Sequence, residues 1–462
     1  MPTLPVIILH GWSDTSTSFQ PLADWLKGQG FNVVPIFLGD YLSMNDEITL
    51  YDLGFAFRRA LNIHQIPQDR HSFDLIVHST GGLVALEYLR QVCIDAENGS
   101  LDASLTPICH LCMLAPANFG SPLAALGKSV VGRFAKGWDW SRFGQSGERI
   151  LNALELASPY SFGLGLHDLF QPNFRLFSPE NTIATVMVGT IAYTGIASVT
   201  HEDGSDGTVR VSTANLNATY LTVDFFDAGK LPELVAHPRA NPDIAFAVFH
   251  RNHSSITRPL SSADFPDLAQ VGDWQKILVD AISLNAGDYS THVQRCTAIT
   301  DTTFAQGLAG PSATQLWYHR YQHVVFHVHD QYGASIPDYV VEFYQENNDQ
   351  DDEVMQYIHK QIITKVTTNS VDAGYRSFLI DTNLLLNFIK KPGVAICMSI
   401  TAANVSRRIT YRNPEGGVEV FTNANHSLIH PNEPVLVDIT LYRDPDVTDS
   451  DPTINVFRLT KR

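Results

Sequence analysis

The sequence predicts an α/β domain built on a doubly wound, mostly parallel sheet, followed by an antiparallel β-sandwich domain. Three observations lead to this fold class. Short apolar runs alternate with segments of helical spacing over the first half of the chain, a pattern typical of parallel sheets. The run at residues 74–77 is followed at position 79 by a serine, with two glycines close behind it. Beyond residue 313, apolar and polar residues alternate with a period of two, as in strands with one buried face.

The apolar runs of the first half are the predicted strands of the parallel sheet, and the last of them closes it. They lie at residues 6–9, 31–37, 74–77, 108–114, 183–190 and 220–225. Segments of helical spacing separate most of these runs. They lie at residues 19–26, 53–63 and 83–92, and a further one at 274–282 closes the domain.

Between residues 126 and 178 the strand–helix alternation stops. This stretch carries predicted helices rich in aromatic residues, among them Trp138, Trp140, Phe143, Tyr160 and Phe162. A helical insertion here suits a lid over an apolar acyl-chain pocket. The alternative is a set of ordinary helices packed on the sheet.

The predicted domain boundaries follow from these changes of pattern. Residues 1–285 are the predicted α/β domain, and residues 286–313, which are small and polar, are the predicted linker or arm. Residues 314–462 form the β-sandwich domain, for membrane contact or assembly. Its predicted strands lie at residues 323–329, 339–344, 378–381, 394–400, 408–411, 418–421, 435–441 and 454–459.

Composition limits the classes of partner and the compartment. The net charge of −17 over 462 residues argues against a nucleic-acid partner and against simple electrostatic attachment to anionic lipid. Five scattered cysteines do not form a disulfide framework and fit a reducing compartment. We find no signal peptide before residue 5 and no uninterrupted apolar stretch of membrane-spanning length, so the sequence predicts a cytoplasmic protein.

Residues 74–84 predict a nucleophile elbow, a strand that turns abruptly into a helix with an exposed serine on the turn. Ser79 occupies that position, with His78 before it and Gly81 two residues after it. Val77 stands where the usual G-x-S-x-G pattern has its first glycine. A serine–glycine turn of some other strand–helix unit is the alternative.

Two loops predict the donors of an oxyanion hole. The first apolar run ends in His10 and Gly11, and Gly11 lets the backbone N–H of Trp12 face the reacting carbonyl. The N–H of Thr80, directly after the serine, supplies the second donor. A simple strand–helix turn is the alternative for the first loop.

The remaining members of a Ser-Asp-His triad are predicted downstream. Asp206 is the candidate acid because Gly207 and Val209 follow it in a turn, and Asp203 is held in reserve. A calcium loop around residues 202–206 is the competing interpretation, although it lacks a closing glutamate. His253 is the candidate base, with His250 as the alternative. The order nucleophile, acid, base is the order imposed by the α/β-hydrolase topology.

No metal or cofactor is predicted. Cys109 and Cys112 lie three apart on one strand, so they face opposite sides and are expected to be core residues. His327 and His329 share one face of a strand, but no third ligand is visible, so packing within the sandwich is expected.

Five segments together resemble bacterial lipase-type α/β hydrolases, at residues 10–13, 78–82, 117–123, 205–209 and 252–255. The H-S-T-G-G elbow with a C-terminal β-domain is most similar to the PlaB-type phospholipase A/lysophospholipase A family. That resemblance implies phospholipid and lysophospholipid substrates, association with a membrane or cell surface, and homo-oligomers. Within enzymes, a carboxylesterase or acyltransferase is the alternative. From another class, the alternative is an inactive lipid-binding or adhesion protein.

Overall fold

The computed structural model of the protein describes residues 4–9, 16–36, 47–127, 148–193, 202–225, 232–345, 352–390, 394–404, 409–411, 417–422 and 429–445. The chain divides into two compact units. Unit 1 consists of Met1–Ala218, Pro238–Tyr321 and Pro431–Pro434. Unit 2 consists of Thr219–His237, Gln322–His430 and Val435–Arg462.

The strands, in chain order, are β1 (Pro5–Leu9), β2 (Asn32–Ile36), β3 (Phe73–His78), β4 (Ile108–Leu114), β5 (Ile183–Gly189), β6 (Thr219–Asp224), β7 (Glu233–His237), β8 (Ala245–Phe249), β9 (Tyr321–Asp330), β10 (Tyr339–Gln345), β11 (Ile363–Thr368), β12 (Tyr375–Asp381), β13 (Ala395–Ala402), β14 (Ile409–Tyr411), β15 (Val418–Thr422), β16 (Pro434–Leu441) and β17 (Arg443–Pro445).

The α-helices are α1 (Gln20–Gly28), α2 (Leu50–Ile63), α3 (Gly81–Val92), α4 (Pro122–Gly127), α5 (Glu148–Leu154), α6 (Pro159–Gly165), α7 (Val211–Ala214), α8 (Val271–Ala281), α9 (Tyr289–Leu308), α10 (Asp352–Tyr357) and α11 (Thr382–Ile389). Shorter turns of 3₁₀ helix lie at Ser16–Phe19, Ala103–Leu105, Ser255–Thr257, Ala286–Asp288 and Ser312–Tyr318, and turns of π-helix at Leu166–Phe170 and Ile358–Ile362.

Unit 1 is organised around a six-stranded sheet in the order β2-β1-β3-β4-β5-β8. All five pairings are parallel, which confirms the predicted doubly wound sheet. The central strands β3 and β5 are buried along their whole length, as expected for strands covered on both faces. The strand order reverses between β1 and β3. Ligands bind at the carboxyl ends of the strands beside such a reversal, so the end of β3 is where a site is expected.

Unit 2 contains two larger sheets that share one apolar core, in agreement with the predicted sandwich. A six-stranded sheet has the order β11-β12-β9-β16-β6-β7, and a three-stranded antiparallel sheet has the order β10-β13-β15. Side chains of both sheets, such as Phe326, Phe378, Phe343 and Met398, belong to the same buried cluster. The six-stranded sheet is mixed rather than antiparallel, because β6 runs parallel to β16.

The prediction that residues 220–225 close the parallel sheet is wrong. These residues form β6, which pairs with β7 and β16 in unit 2. Only one face of β6 is buried: Leu221 and Val223 face the core while Tyr220 and Thr222 do not. A strand with one covered face suits a sandwich, and β8 takes the last place in the parallel sheet instead.

The segment predicted as a linker, residues 286–313, contains the 20-residue helix α9. Its threonines give the segment a polar composition, yet two of them bind the backbone of β8. Thr300 Oγ1 accepts a hydrogen bond from the N–H of Val248 at 3.0 Å, and Thr303 Oγ1 donates to the Val248 carbonyl at 2.9 Å. Because of α9, unit 1 extends beyond the predicted boundary at residue 285.

Part of the predicted insertion at residues 126–178 is described, and it is helical. Ile150, Leu154 and Phe162 of α5 and α6 are buried, which favours ordinary packing for this part. Residues 128–147, which include Trp138, Trp140 and Phe143, lie outside the described residues, as does the predicted strand at 454–459. In the described parts of the chain, every helix is too short or too polar to cross a bilayer.

Candidate active site

Ser79 sits on a tight turn between β3 and α3. Its φ angle is +55°, a conformation that L-residues other than asparagine and aspartate rarely adopt. The turn is fixed on both sides, because the Ser79 N–H donates to the Leu114 carbonyl at 3.1 Å and the Ser79 carbonyl accepts from the Gly82 N–H at 3.0 Å. Ser79 is partly exposed although β3 is buried. A strained, accessible serine between strand and helix is the geometry of a nucleophile elbow.

Gly82 allows the helix after the elbow to lie against the neighbouring loop. A Cβ atom at this position would stand 2.8 Å from Cβ of Pro116, closer than such atoms approach. The same loop reaches the elbow from β4, since the N–H of Ala117 donates to the Ser79 carbonyl at 3.4 Å. The glycine therefore serves the close packing that a sharp turn demands.

Asp206 is fully buried in a turn that holds its carboxylate by backbone amides. Oδ1 accepts hydrogen bonds from the N–H groups of Thr208 at 2.9 Å and Val209 at 2.8 Å. Gly207 takes a φ of +90°, which lets the chain fold around the carboxylate. The Ser121 hydroxyl, from the loop after β4, donates to the Thr208 carbonyl at 2.6 Å. This leaves Oδ2 of Asp206 for another partner.

That partner is His253. Its Nδ1 lies 2.8 Å from Asp206 Oδ2, and its backbone N–H donates to the Asp206 carbonyl at 3.0 Å. The two residues are 47 positions apart in the sequence, so the chain fold and not local geometry brings them together. With Nδ1 donating to the carboxylate, Nε2 is the nitrogen that can accept a proton.

His78, the residue before Ser79, connects the elbow to the loop of His253. Its Nε2 lies 3.0 Å from the His253 carbonyl, and the two imidazole rings are 4.6 Å apart. His78 is buried and also packs against the ring of Phe19, at 5.5 Å. The structure thus brings Asp206, His253 and the Ser79 turn to one place.

The predicted oxyanion-hole residues are described only in part. His10, Gly11 and Trp12 lie outside the described residues. Thr80 is the N-cap of α3, and Gly81 is the first residue of that 12-residue helix. A helix N-terminus carries partial positive charge, which favours an anion next to it. The N-terminus of α3 therefore places partial positive charge next to the turn of Ser79.

The alternative candidates have other partners. His250 Nδ1 lies 3.0 Å from the Tyr318 hydroxyl and its Nε2 lies 3.1 Å from Gln306, so its ring is occupied away from Asp206. Glu202, a ligand of the alternative calcium loop, forms two hydrogen bonds with the buried Arg210, at 2.6 and 2.9 Å. Of the two candidate acids, Asp206 contacts His253.

Arg251 was not a predicted site residue, yet it holds the loop of His253. Its guanidinium is fully buried, lies 4.7 Å from the Trp274 ring, and donates to the carbonyls of Ser255 at 3.0 Å and Arg258 at 2.5 Å. Burial lowers the pKa of the Arg251 guanidinium to about 9. An arginine beside a predicted catalytic loop carries no sequence signal, because its role depends on the fold of the loop.

Two clusters of described residues have the composition of a metal site. One joins Asp74, Cys109 and His110, and the other joins His327, His329 and Asp438. Cys112 belongs to neither, and its Sγ instead lies 3.8 Å from Sδ of Met187 in the core.

Replacing Asn252 tests whether this residue orients His253. Asn252 Oδ1 accepts hydrogen bonds from the N–H groups of Ser254 at 3.1 Å and Ser255 at 2.8 Å, and so closes the turn that carries the histidine. We expect Asn252→Ala to lower the free energy of unfolding by about 1–3 kcal/mol, because two hydrogen bonds are lost. We also expect a lower kcat for the ester hydrolysis that the sequence predicts. Urea unfolding and initial rates on a soluble ester measure both effects.

The matched control is Asn252→Asp, which keeps the acceptor oxygen of the turn. It should retain most of the stability and most of the activity. Equal losses in the two variants would mean that the side-chain oxygen of Asn252 does not hold the loop.

Comparisons with known proteins bear on the fold. No protein-family model matches the sequence, and a search of curated protein sequences finds no match. Solved structures do match. Phospholipase PlaB from Legionella pneumophila superposes with a TM-score of 0.79, and its complex with thio-NAD with 0.77. In both cases the identity is 24%, and the alignment covers 99% of this chain and 96% of the other. At this identity the similarity establishes the fold, an α/β-hydrolase domain with a C-terminal β-domain, as predicted.

Proposed function

We propose that the protein is a serine ester hydrolase that releases fatty acids from phospholipids and lysophospholipids. The observation that carries the proposal is the hydrogen bond between Asp206 and His253, formed beside the strained turn of Ser79. Those three residues have the types and the chain order of an α/β-hydrolase triad. The similarity of fold to a phospholipase over both units supports the choice of substrate class.

The proposed chemistry begins with Ser79. Its hydroxyl is almost un-ionised at neutral pH, so His253 Nε2 accepts the proton as Oγ attacks the ester carbonyl. Asp206 holds the imidazole in the required tautomer and stabilises the imidazolium. The N–H groups of Thr80 and Trp12 bind the tetrahedral oxyanion, and each such donor contributes about 3 kcal/mol. His253 then protonates the leaving alcohol, and water hydrolyses the acyl-enzyme by the same steps.

Acyl release from three substrates tests the proposal. The purified full-length protein is assayed on phospholipid vesicles, on lysophospholipid and on a short-chain p-nitrophenyl ester, each beside Ser79→Ala. We expect serine-dependent fatty-acid release from both lipids. Turnover of the short ester alone would identify a carboxylesterase. Transfer of the acyl group to an added alcohol in preference to water would identify an acyltransferase.

The alternative from another class is a lipid-binding or adhesion protein with an inactive hydrolase domain. Covalent labelling by a fluorophosphonate separates the two, because the probe requires an activated serine. A protein that binds vesicles, remains unlabelled and releases no fatty acid would support that alternative.

We also propose contact with a membrane surface through unit 2, and assembly into homo-oligomers. Two adjoining turns of unit 2 expose large apolar side chains: Tyr332 is 80% exposed and Val371 is 62% exposed. The hydroxyl of Ser335 donates to Asp372 at 2.7 Å and joins these turns. Apolar contact is the form of attachment that a net charge of −17 permits.

The double variant Tyr332→Ser/Val371→Ser tests the membrane contact. We expect roughly tenfold weaker activity on vesicles, because two apolar side chains no longer leave water. Activity on a soluble ester should be unchanged. The matched control is Tyr51→Ser/Phe55→Ser, which removes exposed aromatic residues of unit 1. Equal activity of wild type and Tyr332→Ser/Val371→Ser on vesicles would exclude the two turns as the contact.

A further inference from the structure

Three potential metal ligands meet on the outer face of the mixed sheet in unit 2. His327 and His329 project from β9, where they alternate with Phe326 and Val328 of the buried core. Asp438 projects from the neighbouring strand β16, where it alternates with buried core residues in the same way. Because side chains alternate across a strand, all three lie on the face opposite the core.

The three side chains are close enough to share one ion. His327 Nδ1 lies 2.8 Å from Asp438 Oδ1, and His329 Nε2 lies 3.0 Å from the same oxygen. One donor atom from each residue lies within 4.8 Å of the other two. The side chains of His327, His329 and Asp438 are 15%, 17% and 24% exposed, so water reaches the cluster.

Surrounding residues orient these side chains as they would around a metal. His329 Nδ1 lies 2.8 Å from the carbonyl of Asp330 and donates to it, so Nε2 faces the cluster and offers its lone pair to a metal once its own proton has left. Tyr375 stacks on the His327 ring at 4.1 Å and 11°. The Tyr220 hydroxyl forms a hydrogen bond with Asp438. A backbone carbonyl on the second nitrogen is the usual support of a ligating histidine.

We propose that His327, His329 and Asp438 bind a divalent zinc ion. Two imidazole nitrogens and one carboxylate oxygen match the ligand preference of Zn²⁺, and water completes four-coordination. With bonds of about 2.0–2.1 Å, tetrahedral donor atoms stand about 3.3 Å apart. The observed 2.8 and 3.0 Å must therefore open by a few tenths of an ångström. Zinc replaces the proton that each imidazole shares with Asp438, and these protons go to solvent.

Zinc at this position would join two strands that are distant in the sequence. His327 and Asp438 are 111 residues apart, and their strands are neighbours in the sheet of unit 2. A metal that binds the folded sheet and not the unfolded chain stabilises the fold by mass action. The bound zinc would thus link β9 to β16 at the centre of the six-stranded sheet of unit 2.

Zinc binding to the full-length protein tests the proposal. The protein is treated with a chelator, freed of it, and titrated with Zn²⁺ in competition with a chromogenic chelator. Wild type should bind one equivalent with a Kd below about 1 μM. Asp438→Asn and His329→Gln should each weaken that binding at least about 100-fold, because each removes a ligand. Cys109→Ser, in the other cluster of suitable composition, is the matched control and should bind as wild type does.

Two further measurements test zinc binding independently, in case one variant folds poorly. Co²⁺ should give the visible absorption of a tetrahedral site in wild type and in Cys109→Ser, and lose it in His327→Gln. Zinc should raise the Tm of wild type but not of the ligand variants. No tight zinc in wild type, full binding by Asp438→Asn, or loss of zinc in Cys109→Ser alone would overturn the proposal. In the first case the cluster is a hydrogen-bonded His–Asp–His group only.

Discussion

Replacing Ser79 with alanine is expected to lower kcat for ester hydrolysis by about 10⁵–10⁶-fold. The substitution removes the proposed nucleophile Oγ and nothing else from the elbow. The two backbone hydrogen bonds of Ser79, to Leu114 and Gly82, remain available to alanine. The free energy of unfolding should therefore change little, and circular dichroism and urea unfolding will show whether it does.

Ser72→Ala is the matched control for this variant. Ser72 lies just before the other end of β3, and its hydroxyl donates to the Pro67 carbonyl at 2.6 Å. It makes the same chemical change at a distance from the elbow, and activity should be retained. Fluorophosphonate labelling should be lost in Ser79→Ala and kept in Ser72→Ala. Substantial turnover by a folded Ser79→Ala protein would remove the proposed nucleophile and with it the triad mechanism.

The parallel sheet could be predicted because its signals are local. β3 is buried on both faces, so its central residues are an apolar run. The turn after β3 requires small residues, and this requirement does not depend on distant parts of the chain. Gly82 illustrates this, since its lack of a side chain lets α3 approach Pro116. The candidate acid could be ranked by the same kind of signal, because Gly207 takes the positive φ that the turn of Asp206 needs.

The errors come from contacts that connect distant parts of the chain. β16 lies more than 200 positions after β6, and no property of residues 219–224 identifies it as the partner strand. The same limit concealed Asp438, the third member of the histidine cluster on β9. In α9 the threonines suggested a linker, because the strand backbone that they bind is absent from any sequence window.

The position of His253 depends both on a local turn and on a contact between distant parts of the chain. The sequence marks the loop at residues 252–255 as a turn, and Asn252 closes it. The hydrogen bond between Asp206 and the His253 ring shows that His253, and not His250, contacts the candidate acid. This contact depends on the tertiary fold, because the two residues are 47 positions apart. Arg251 lies between His250 and His253 in the sequence and is buried in the fold. It holds the loop by hydrogen bonds to backbone carbonyl groups, which a sequence motif does not record.

Replacing Asp206 with asparagine is expected to lower kcat by about 10⁴-fold while the fold is kept. The amide oxygen can still accept the hydrogen bonds of Thr208 and Val209. This orientation points the NH₂ group at His253 Nδ1, which must then become an acceptor. The proton moves to Nε2, and the histidine can no longer take the proton of Ser79. Rates on a soluble ester measure the loss, and fluorophosphonate labelling should slow by a similar factor.

Asp203→Asn is the matched control, because it makes the same change at the reserve acid three residues away. The Asp206 carboxylate receives two backbone N–H groups and one imidazole, and because of these partners we propose it as the residue that fixes the tautomer. Activity should therefore be near wild type in Asp203→Asn and low in Asp206→Asn. The reverse result would transfer the acid role to Asp203 and would mean that the contact between Asp206 and His253 is structural.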